Sequence, residues 1–309
     1  MVLGFFLLSS NASSGPLTPL PVNNNLYAIA YGNNVFVATG TFGEILTSPD
    51  GTTWTPRTSG TTNYLYSVAY GNNTFVAVGA DGTILTSQDG VTWTKQNSKT
   101  DFVLFDVAYG NNKFVAVGEF GMVLISSNGK MWKQRFAGVA NYIQVIAYGN
   151  NTFLATGNQD LLTSLNGITW KNHVPPYGWG QAFHGIAYGA QNFVAVGNSG
   201  EIFNSSNGTA WSVQTWGKGN TLYSVTYGNN VFVAVGANGK IYTLTNKMAR
   251  KLQTSGTTHY LYGVAYGNNV FVAVGANGTI LNSIDGVTWT PQISGMKPKV
   301  VFNIKQGTL

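Results

Sequence analysis

The sequence repeats itself with a period of 39 residues, and this repeat limits the possible fold more than any other feature. A Tyr-Gly pair recurs in register, with spacings of 39 residues apart from one of 40, at Tyr31, Tyr70, Tyr109, Tyr148, Tyr188, Tyr227 and Tyr266. Residues 59–96 and 255–292 differ at only 7 of 38 positions, so the array grew by duplication. Periods of 20 to 50 residues are typical of solenoids, propellers and other repeat arrays.

Each unit contains four short stretches with the composition of β-strands. In the second unit these are "LYSVAYG", "TFVAVG", "GTILTS" and "TWTKQ", separated by Gly-Asn-Asn and Asp-Gly pairs that favour tight turns. No segment has helical periodicity. We therefore predict an all-β fold, a seven-bladed β-propeller of four-stranded antiparallel blades, in which each blade is stable only between two neighbours. A flat β-solenoid is the less favoured alternative, because its period is usually shorter.

The two ends of the chain are open to more than one interpretation. The repeats predict a propeller over residues 26–299, which leaves residues 1–25 and 300–309 outside it. Residues 2–8 are apolar and precede small residues, as in a secretory leader, although no positive charge comes before them. Alternatively, residues 1–25 are a degenerate half-repeat and residues 300–309 a closing strand, which together make a degenerate eighth blade. We favour the leader, with a tail at the other end, and hence a secreted or cell-surface protein.

Composition excludes several classes of protein. Charged residues make up only 8% of the chain, and the formal net charge of +6 is not gathered in a basic stripe, so no nucleic-acid partner is predicted. The chain has no cysteine, which excludes disulfides and thiolate metal sites. No run of 18 apolar residues is present, so no membrane-spanning helix is expected.

A short motif follows the third strand of six units, with "SQDGVTW" at residues 87–93 as an example. Its acidic or amide residues, which we predict to form structural turns, are Asp50, Asp89, Asn128, Asn166, Asn207 and Asp285. The motif resembles the Asp-box, or BNR, repeat of sialidases, sortilin-type receptors and photosystem II assembly factors, with one residue missing between Asp and Gly. That resemblance implies a propeller and does not specify an activity. Because Asn replaces Asp freely, we expect no metal site or acid–base role here. In the sixth unit the motif is lost, and Arg250 stands at the Trp position.

The sequence argues against catalysis. Similarity to sialidases would imply three arginines converging on the axis, but Arg57, Arg135 and Arg250 all fall on or beside the predicted outermost strands. No spacing singles out a carboxylate pair for glycoside hydrolysis. The three histidines fall in different blade connections, without zinc-binding spacing. We predict that the protein is not an enzyme and needs no metal or cofactor.

Two sets of residues are candidates for ligand binding, both on the face formed by the second-to-third-strand turns and the blade connections. The longest connection, residues 172–185, carries Tyr177 and Trp179, and the next connection carries Trp216. These aromatic side chains could be platforms for sugar rings, or could simply pack onto a blade. The second set opens the innermost strands and would surround the central channel: Tyr27, Tyr66, Phe105, Gln144, His184, Tyr223 and Tyr262.

In this second set, Gln144 and His184 interrupt the aromatic series. Asp106 falls where other units carry small residues or Val145. We predict a ligand-binding role for Gln144, His184 and Asp106; blade–blade packing is the alternative.

Together these features predict a non-catalytic recognition scaffold, exported or particle-associated, that binds a glycan or a protein surface through the variable loops. An assembly factor similar to the photosystem II propellers is the alternative, and a glycoside hydrolase is the third hypothesis.

Overall fold

The computed structural model of the 309-residue chain describes residues 20–22, 24–157, 160–173, 183–215, 219–245, 249–295 and 299–301. Within these residues the fold is a ring of seven antiparallel sheets, each made of four strands that are consecutive in the sequence. We number the sheets as blades 1 to 7 in chain order.

The strands of the first four blades are as follows. Blade 1 contains β2 (Leu26–Gly32), β3 (Val35–Gly40), β4 (Ile45–Ser48) and β5 (Thr55–Arg57). Blade 2 contains β6 (Leu65–Gly71), β7 (Thr74–Gly79), β8 (Ile84–Ser87) and β9 (Thr94–Gln96). Blade 3 contains β10 (Leu104–Gly110), β11 (Lys113–Gly118), β12 (Met122–Ser126) and β13 (Lys133–Phe136). Blade 4 contains β14 (Ile143–Gly149), β15 (Thr152–Gly157), β16 (Asp160–Ser164) and β17 (Lys171–His173).

The remaining three blades repeat this pattern. Blade 5 contains β18 (Phe183–Gly189), β19 (Asn192–Gly197), β20 (Ile202–Ser205) and β21 (Ser212–Thr215). Blade 6 contains β22 (Leu222–Gly228), β23 (Val231–Gly236), β24 (Ile241–Leu244) and β25 (Arg250–Gln253). Blade 7 contains β26 (Leu261–Gly267), β27 (Val270–Gly275), β28 (Ile280–Ser283) and β29 (Thr290–Gln292).

Short 3₁₀ turns connect the second and third strands in five of the blades, at Thr41–Gly43, Glu119–Gly121, Asn198–Gly200, Ala237–Gly239 and Ala276–Gly278. None of the described helical segments is long and apolar enough to cross a membrane.

The second strand of each blade forms the core of its sheet. In blade 1, Phe36, Val37 and Ala38 are completely buried, although their side chains alternate between the two faces of the sheet. Both faces are therefore covered by neighbouring blades, as the uniformly apolar sequence of these strands predicts.

The repeated Tyr-Gly pair forms the junction between blades. A Cβ atom placed on Gly32 would lie 2.0 Å from Cγ of Tyr70, because the ring of Tyr70 from blade 2 covers this glycine of blade 1. The same contact recurs around the ring, and the last junction places Tyr31 of blade 1 on Gly267 of blade 7, again at 2.0 Å. Glycine is needed at these positions because any side chain would occupy the space of the tyrosine.

Blade 7 packs directly on blade 1, so the ring closes with seven blades and the prediction of a seven-bladed propeller is confirmed. Val272 and Val274 of blade 7 share an apolar cluster with Leu26 of blade 1. The backbone N–H of Asn277 donates to Oδ1 of Asn25 at 3.1 Å. No strand is exchanged between the described first and last blades.

The two ends of the described chain pair with each other. Strands β1 (Leu20–Val22) and β30 (Lys299–Val301) form a separate two-stranded antiparallel sheet. Since the rest of the two termini lies outside the described residues, the degenerate eighth blade stays a prediction as well. Residues 1–19 lie outside the described residues, so their interpretation as a leader stays a prediction.

The Asp or Asn of each motif organises the turn between the third and fourth strands. In blade 2, Oδ1 of Asp89 accepts hydrogen bonds from the backbone N–H groups of Val91 and Thr92 at 2.8 and 2.9 Å. In blade 3, Oδ1 of Asn128 accepts the equivalent two bonds at 3.0 Å. The indole N–H of the motif Trp donates to the carbonyl oxygen of the motif Gly in five of the six turns, at 2.7 to 3.3 Å.

Candidate functional site

The innermost strands all begin on one face of the propeller, which we call the connection face. This face is formed by the second-to-third-strand turns and the connections between blades. The opposite face carries the first-to-second-strand turns and the Asp/Asn turns. The side chains that begin the innermost strands therefore meet around one mouth of the central channel.

Seven half-buried side chains surround this mouth, and we call them the mouth ring: Tyr27, Tyr66, Phe105, Gln144, His184, Tyr223 and Tyr262. The centroids of neighbouring rings lie 5.4 to 6.3 Å apart, from His184 through the tyrosines to Phe105. Gln144 occupies the position between Phe105 and His184. These distances are those of direct aromatic contact, so the mouth is bordered by an almost continuous aromatic wall.

Tyrosine is uncharged at neutral pH, and burial moves the ionisation of the mouth-ring tyrosines to still higher pH. Loss of solvation raises the pKa of Tyr27 to about 12, and burial also raises the pKa values of Tyr66, Tyr223 and Tyr262. Burial lowers the pKa of His184, whose Nε2 lies 2.9 Å from Oδ1 of Asn198. The mouth ring is therefore uncharged at neutral pH.

One residue further along the innermost strand of blade 3, Asp106 places a carboxylate against the channel. Its Oδ1 accepts a hydrogen bond from Oγ of Ser67 at 2.6 Å and another from the backbone N–H of the next residue, Val107, at 2.8 Å. Its Oδ2 accepts one bond, from the backbone N–H of Ile146 in blade 4, at 2.8 Å. Burial raises the pKa of Asp106 to about 6, although the hydrogen bonds from Ile146, Ser67 and Val107 act in the opposite direction.

A cavity of about 250 Å³ lies in the channel. Asp106 lines it, together with the side chains of the mouth ring other than Tyr223. A water molecule takes up roughly 30 Å³ in the liquid, so this volume corresponds to a small cluster of waters or to one long side chain. Asp106 is the one acidic residue among the described lining residues, and no lysine or arginine lines the cavity there.

A second group of aromatic side chains extends outward from the mouth ring over the connection face. We call this group the outer tier: Phe42, Tyr64, Phe102, Phe120, Tyr142 and Tyr260. Phe120 and Tyr142 lie 5.7 Å apart, and Tyr142 lies 5.9 Å from Phe105 of the mouth ring. Half of the surface of Phe120 is exposed. Apolar rings held open to solvent in one continuous patch are typical of binding surfaces.

Sequence reasoning did not identify the outer tier. Its residues come from the second-to-third-strand turns and from the ends of the connections, where the repeats differ. The available signal is a tyrosine immediately before the Leu or Ile that opens the innermost strand, present in blades 2, 4 and 7 at Tyr64, Tyr142 and Tyr260.

The connection face is also the acidic face among the described residues. The turns, connections and channel of this face carry seven of the ten acidic residues of the chain: Glu44, Asp81, Asp101, Asp106, Glu119, Asp160 and Glu201. The described parts of the same turns and connections carry two lysines, Lys99 and Lys240, and Arg57 and Lys95 of the outermost strands line pockets with Glu44 and Asp81. The surface around the mouth therefore favours a cationic partner although the whole chain has a positive net charge.

The predicted site residues fall into two groups. Asp106, Gln144 and His184 come from blades 3, 4 and 5 and line the same cavity. Tyr177, Trp179 and Trp216 lie outside the described residues, so the proposed sugar platforms stay a prediction.

The described residues contain no constellation of the kind expected for the enzymes considered above. Arg57, Arg135 and Arg250 lie on the outermost strands β5, β13 and β25. Arg250 stacks over the ring of Tyr242 at 4.5 Å, where other blades carry the motif Trp. No group of three or more His, Asp or Glu side chains in the described part of the chain is placed to hold a metal ion.

Comparisons with known proteins agree with this architecture. The family model named DUF6242 beta propeller domain matches residues 10–141. YCF48 from Cyanidioschyzon merolae superposes with a TM-score of 0.68 at 18% identity, covering 85% of this chain and 96% of that chain. These matches show that the chain shares the β-propeller fold.

Two further structures are similar to this propeller. A structure described as YCF48 bound to D1 peptide has a TM-score of 0.68 and 16% identity, with 88% of this chain and 96% of that chain covered. A streptogramin B lyase has a TM-score of 0.71 and 14% identity, with 84% and 95% covered. At these identities the likeness concerns the fold. No curated protein matches the sequence at a significant level.

Proposed function

We propose that this propeller is a non-catalytic scaffold that binds a protein segment on its connection face. The observation that carries the proposal is the outer tier, an exposed aromatic surface continuous with the mouth ring and placed on rigid blades. Tyr and Phe provide large contact areas that lose little conformational entropy on binding, and aromatic residues are enriched at protein interfaces. One structural neighbour, YCF48, has been described in complex with a peptide.

The residues favour binding over catalysis. A lyase shares the fold, so the fold alone does not decide the question. The carboxylate of Asp106 has no second carboxylate among the described residues lining its cavity, and glycoside hydrolysis requires a pair. The arginines lie on the outermost strands, far from the channel in sheet order.

A protein partner is favoured over a glycan. The outer tier lies among the acidic residues of the connection face, which suits a partner with both apolar and cationic side chains, as protein segments have. An assembly factor, which works by binding other proteins, is therefore preferred to a sugar-binding protein, and the sugar platforms Tyr177, Trp179 and Trp216 stay a prediction. Export of the chain stays a prediction of the sequence.

The test is selection of peptide binders from a random displayed library, followed by affinity measurements with surface variants. The binding variant is Phe120→Asn with Tyr142→Thr; sibling blades carry Asn238 and Thr221 at these positions, so the substitutions suit the backbone. The control variant is Leu165→Ser with Ile284→Ser, which removes two strongly exposed apolar side chains from the opposite face.

We expect the binding variant to lose at least tenfold in affinity for the selected peptides and the control variant to lose none. Equal losses in the two variants, or none in either, would contradict the proposal. The same proteins are also tested on a glycan array. Sugar binding that depends on Phe120 and Tyr142, in the absence of peptide binding, would show that the partner is a glycan and not a protein.

A further inference from the structure

The cavity beneath the mouth ring combines three properties that suit a cationic ligand. Its rim is aromatic, its wall carries one carboxylate, and no cationic side chain lines it within the described residues. Aromatic faces attract cations through the negative potential of the ring, with the cation within about 6 Å of the ring centroid. A carboxylate in a partly desolvated site attracts the same ligands.

The carboxylate of Asp106 retains capacity to accept another hydrogen bond. A carboxylate has about four acceptor positions, and three are used here, two on Oδ1 and one on Oδ2. The unused position belongs to Oδ2.

The fold does not require an aspartate at the position that Asp106 occupies in its blade. The equivalent residues of blades 2 and 6 are Ser67 and Ser224. The hydroxyl of Ser224 accepts a hydrogen bond from the backbone N–H of Val264 in the next blade at 3.3 Å, just as Asp106 accepts one from Ile146. A serine therefore makes the same blade-to-blade contact without a partly desolvated charge. The carboxylate costs solvation free energy that the architecture does not demand, which points to a ligand.

We infer that this cavity receives a lysine or arginine side chain of the protein segment bound to the connection face, an inference that rests on the function proposed above. The alkyl part of the side chain passes the faces of Tyr27, Tyr66 and Tyr262, and the cationic group donates to Oδ2 of Asp106. The surrounding acidic residues of the connection face attract the same segment at longer range.

The inference is tested without knowledge of the natural partner, by use of three small probes. N-acetyl-arginine amide and N-acetyl-lysine amide carry the two cationic groups, and N-acetyl-citrulline amide is the uncharged isostere of the arginine probe. Binding is measured by NMR shift perturbation at millimolar probe concentrations. We expect at least one cationic probe to bind at least tenfold more tightly than the citrulline probe.

Two variants locate the binding. Asp106→Ser introduces the residue of blades 2 and 6 and should reduce the affinity for the cationic probe at least tenfold, without changing that for the citrulline probe. Tyr262→Gln introduces the residue that blade 4 carries at this position, Gln144. It should reduce the affinity for the cationic probe several-fold, because one aromatic face is lost. Leu165→Ser with Ile284→Ser, on the opposite face, should change neither.

The outcomes separate this inference from the proposed function. Equal affinity of the charged and uncharged probes, no binding of either cationic probe, or unchanged binding to Asp106→Ser would overturn the inference. If the selected peptides still depend on Phe120 and Tyr142 in that case, the protein-binding function stands. Cationic binding at Asp106 without any peptide binding would contradict the proposed function and leave a site for small amines or guanidines.

Discussion

At the scale of single residues, each Asp/Asn turn depends on one oxygen atom. Oδ1 of Asp89 accepts from two backbone N–H groups and from Oγ of Ser87, and Oδ1 of Asn128 has the same partners in blade 3. Asparagine carries the same Oδ1, the oxygen that makes these bonds, which explains why the two residues alternate among the repeats. The hydrogen bond from Thr92 is the main reason that the pKa of Asp89 is lowered.

This geometry predicts how substitutions of Asp89 affect stability. Asp89→Asn should change the free energy of unfolding very little, because Oδ1 remains. Asp89→Ala should reduce it by about 1–2 kcal/mol, because the turn loses its side-chain acceptor. Urea denaturation of both variants provides the measurement, with Asn128→Asp as the control that is expected to be neutral. If Asp89→Asn is as destabilising as Asp89→Ala, then the charge matters and the turn is not purely structural.

The partly desolvated carboxylate of Asp106 predicts an unusual pH dependence of stability. Its pKa is raised from 3.8 to about 6 in the folded protein, so between these values the native state holds a proton that the unfolded chain releases. Stability contributed by this group is present below about pH 4 and is lost as the pH rises through 6. The other titratable groups facing the cavity are Tyr27, Tyr66, Tyr262 and His184, and they are the same in Asp106→Ser.

The measurement is the denaturation midpoint of the wild-type protein and of Asp106→Ser between pH 4 and pH 7. We expect the stability of the wild type relative to the variant to decrease over this range. A constant difference would show that the carboxylate is not buried in solution, and a rising difference would indicate a permanent cationic partner within the protein.

At the scale of elements, the contact between Gly and Tyr sets the spacing of the blades. A Cβ on Gly110 would lie 2.1 Å from Cγ of Tyr148, so Gly110→Ala must displace the ring or the blade. We expect a loss of about 1–3 kcal/mol, the usual cost of overpacking. Tyr148→Ala removes the obstacle, so the double variant should be more stable than the sum of the single effects predicts.

The junction is tested by measuring the free energy of unfolding of four proteins: the wild type, Gly110→Ala, Tyr148→Ala and the double variant. Gly219→Ala is the control, since its Cβ would meet nothing closer than 3.5 Å. Strictly additive effects of Gly110→Ala and Tyr148→Ala would mean that these two residues do not act through their contact.

The elements were predictable from the sequence to different degrees. The strands and their order follow from short apolar runs closed by Gly that recur seven times, and the Asp/Asn turns follow from a motif that recurs six times, so the repeats confirm one another. Asp106, Gln144 and His184 were found because they depart from a repeated pattern. The outer tier was missed because its residues lie in turns and connections where the repeats differ, and Phe120 and Tyr142 become neighbours only through the packing of blades 3 and 4.

At the scale of the whole molecule, the described blades 7 and 1 close the ring without exchanging a strand. Propellers often close by completing one blade with strands from both termini, but here the four strands of each described blade are consecutive. The contact between blades 7 and 1 is made by Asn277 with Asn25, by Val272 and Val274 with Leu26, and by Tyr31 on Gly267. The seam is therefore built from the same Gly–Tyr contact as the other junctions.

A chain reduced to residues 24–295 should consequently fold into the same ring, because it keeps all seven blades and loses the two-stranded sheet of β1 and β30. We expect an unchanged circular dichroism spectrum, one cooperative thermal transition and a midpoint within a few degrees of that of the whole chain. The matched control is residues 24–253, which lacks blade 7 and leaves the apolar faces of blades 1 and 6 uncovered. Repeats that lack a neighbour expose their core, so this control should bind a hydrophobic dye and aggregate. If the 24–295 chain behaves like the control, the terminal strands stabilise the seam, and the ring is not closed by its blades alone.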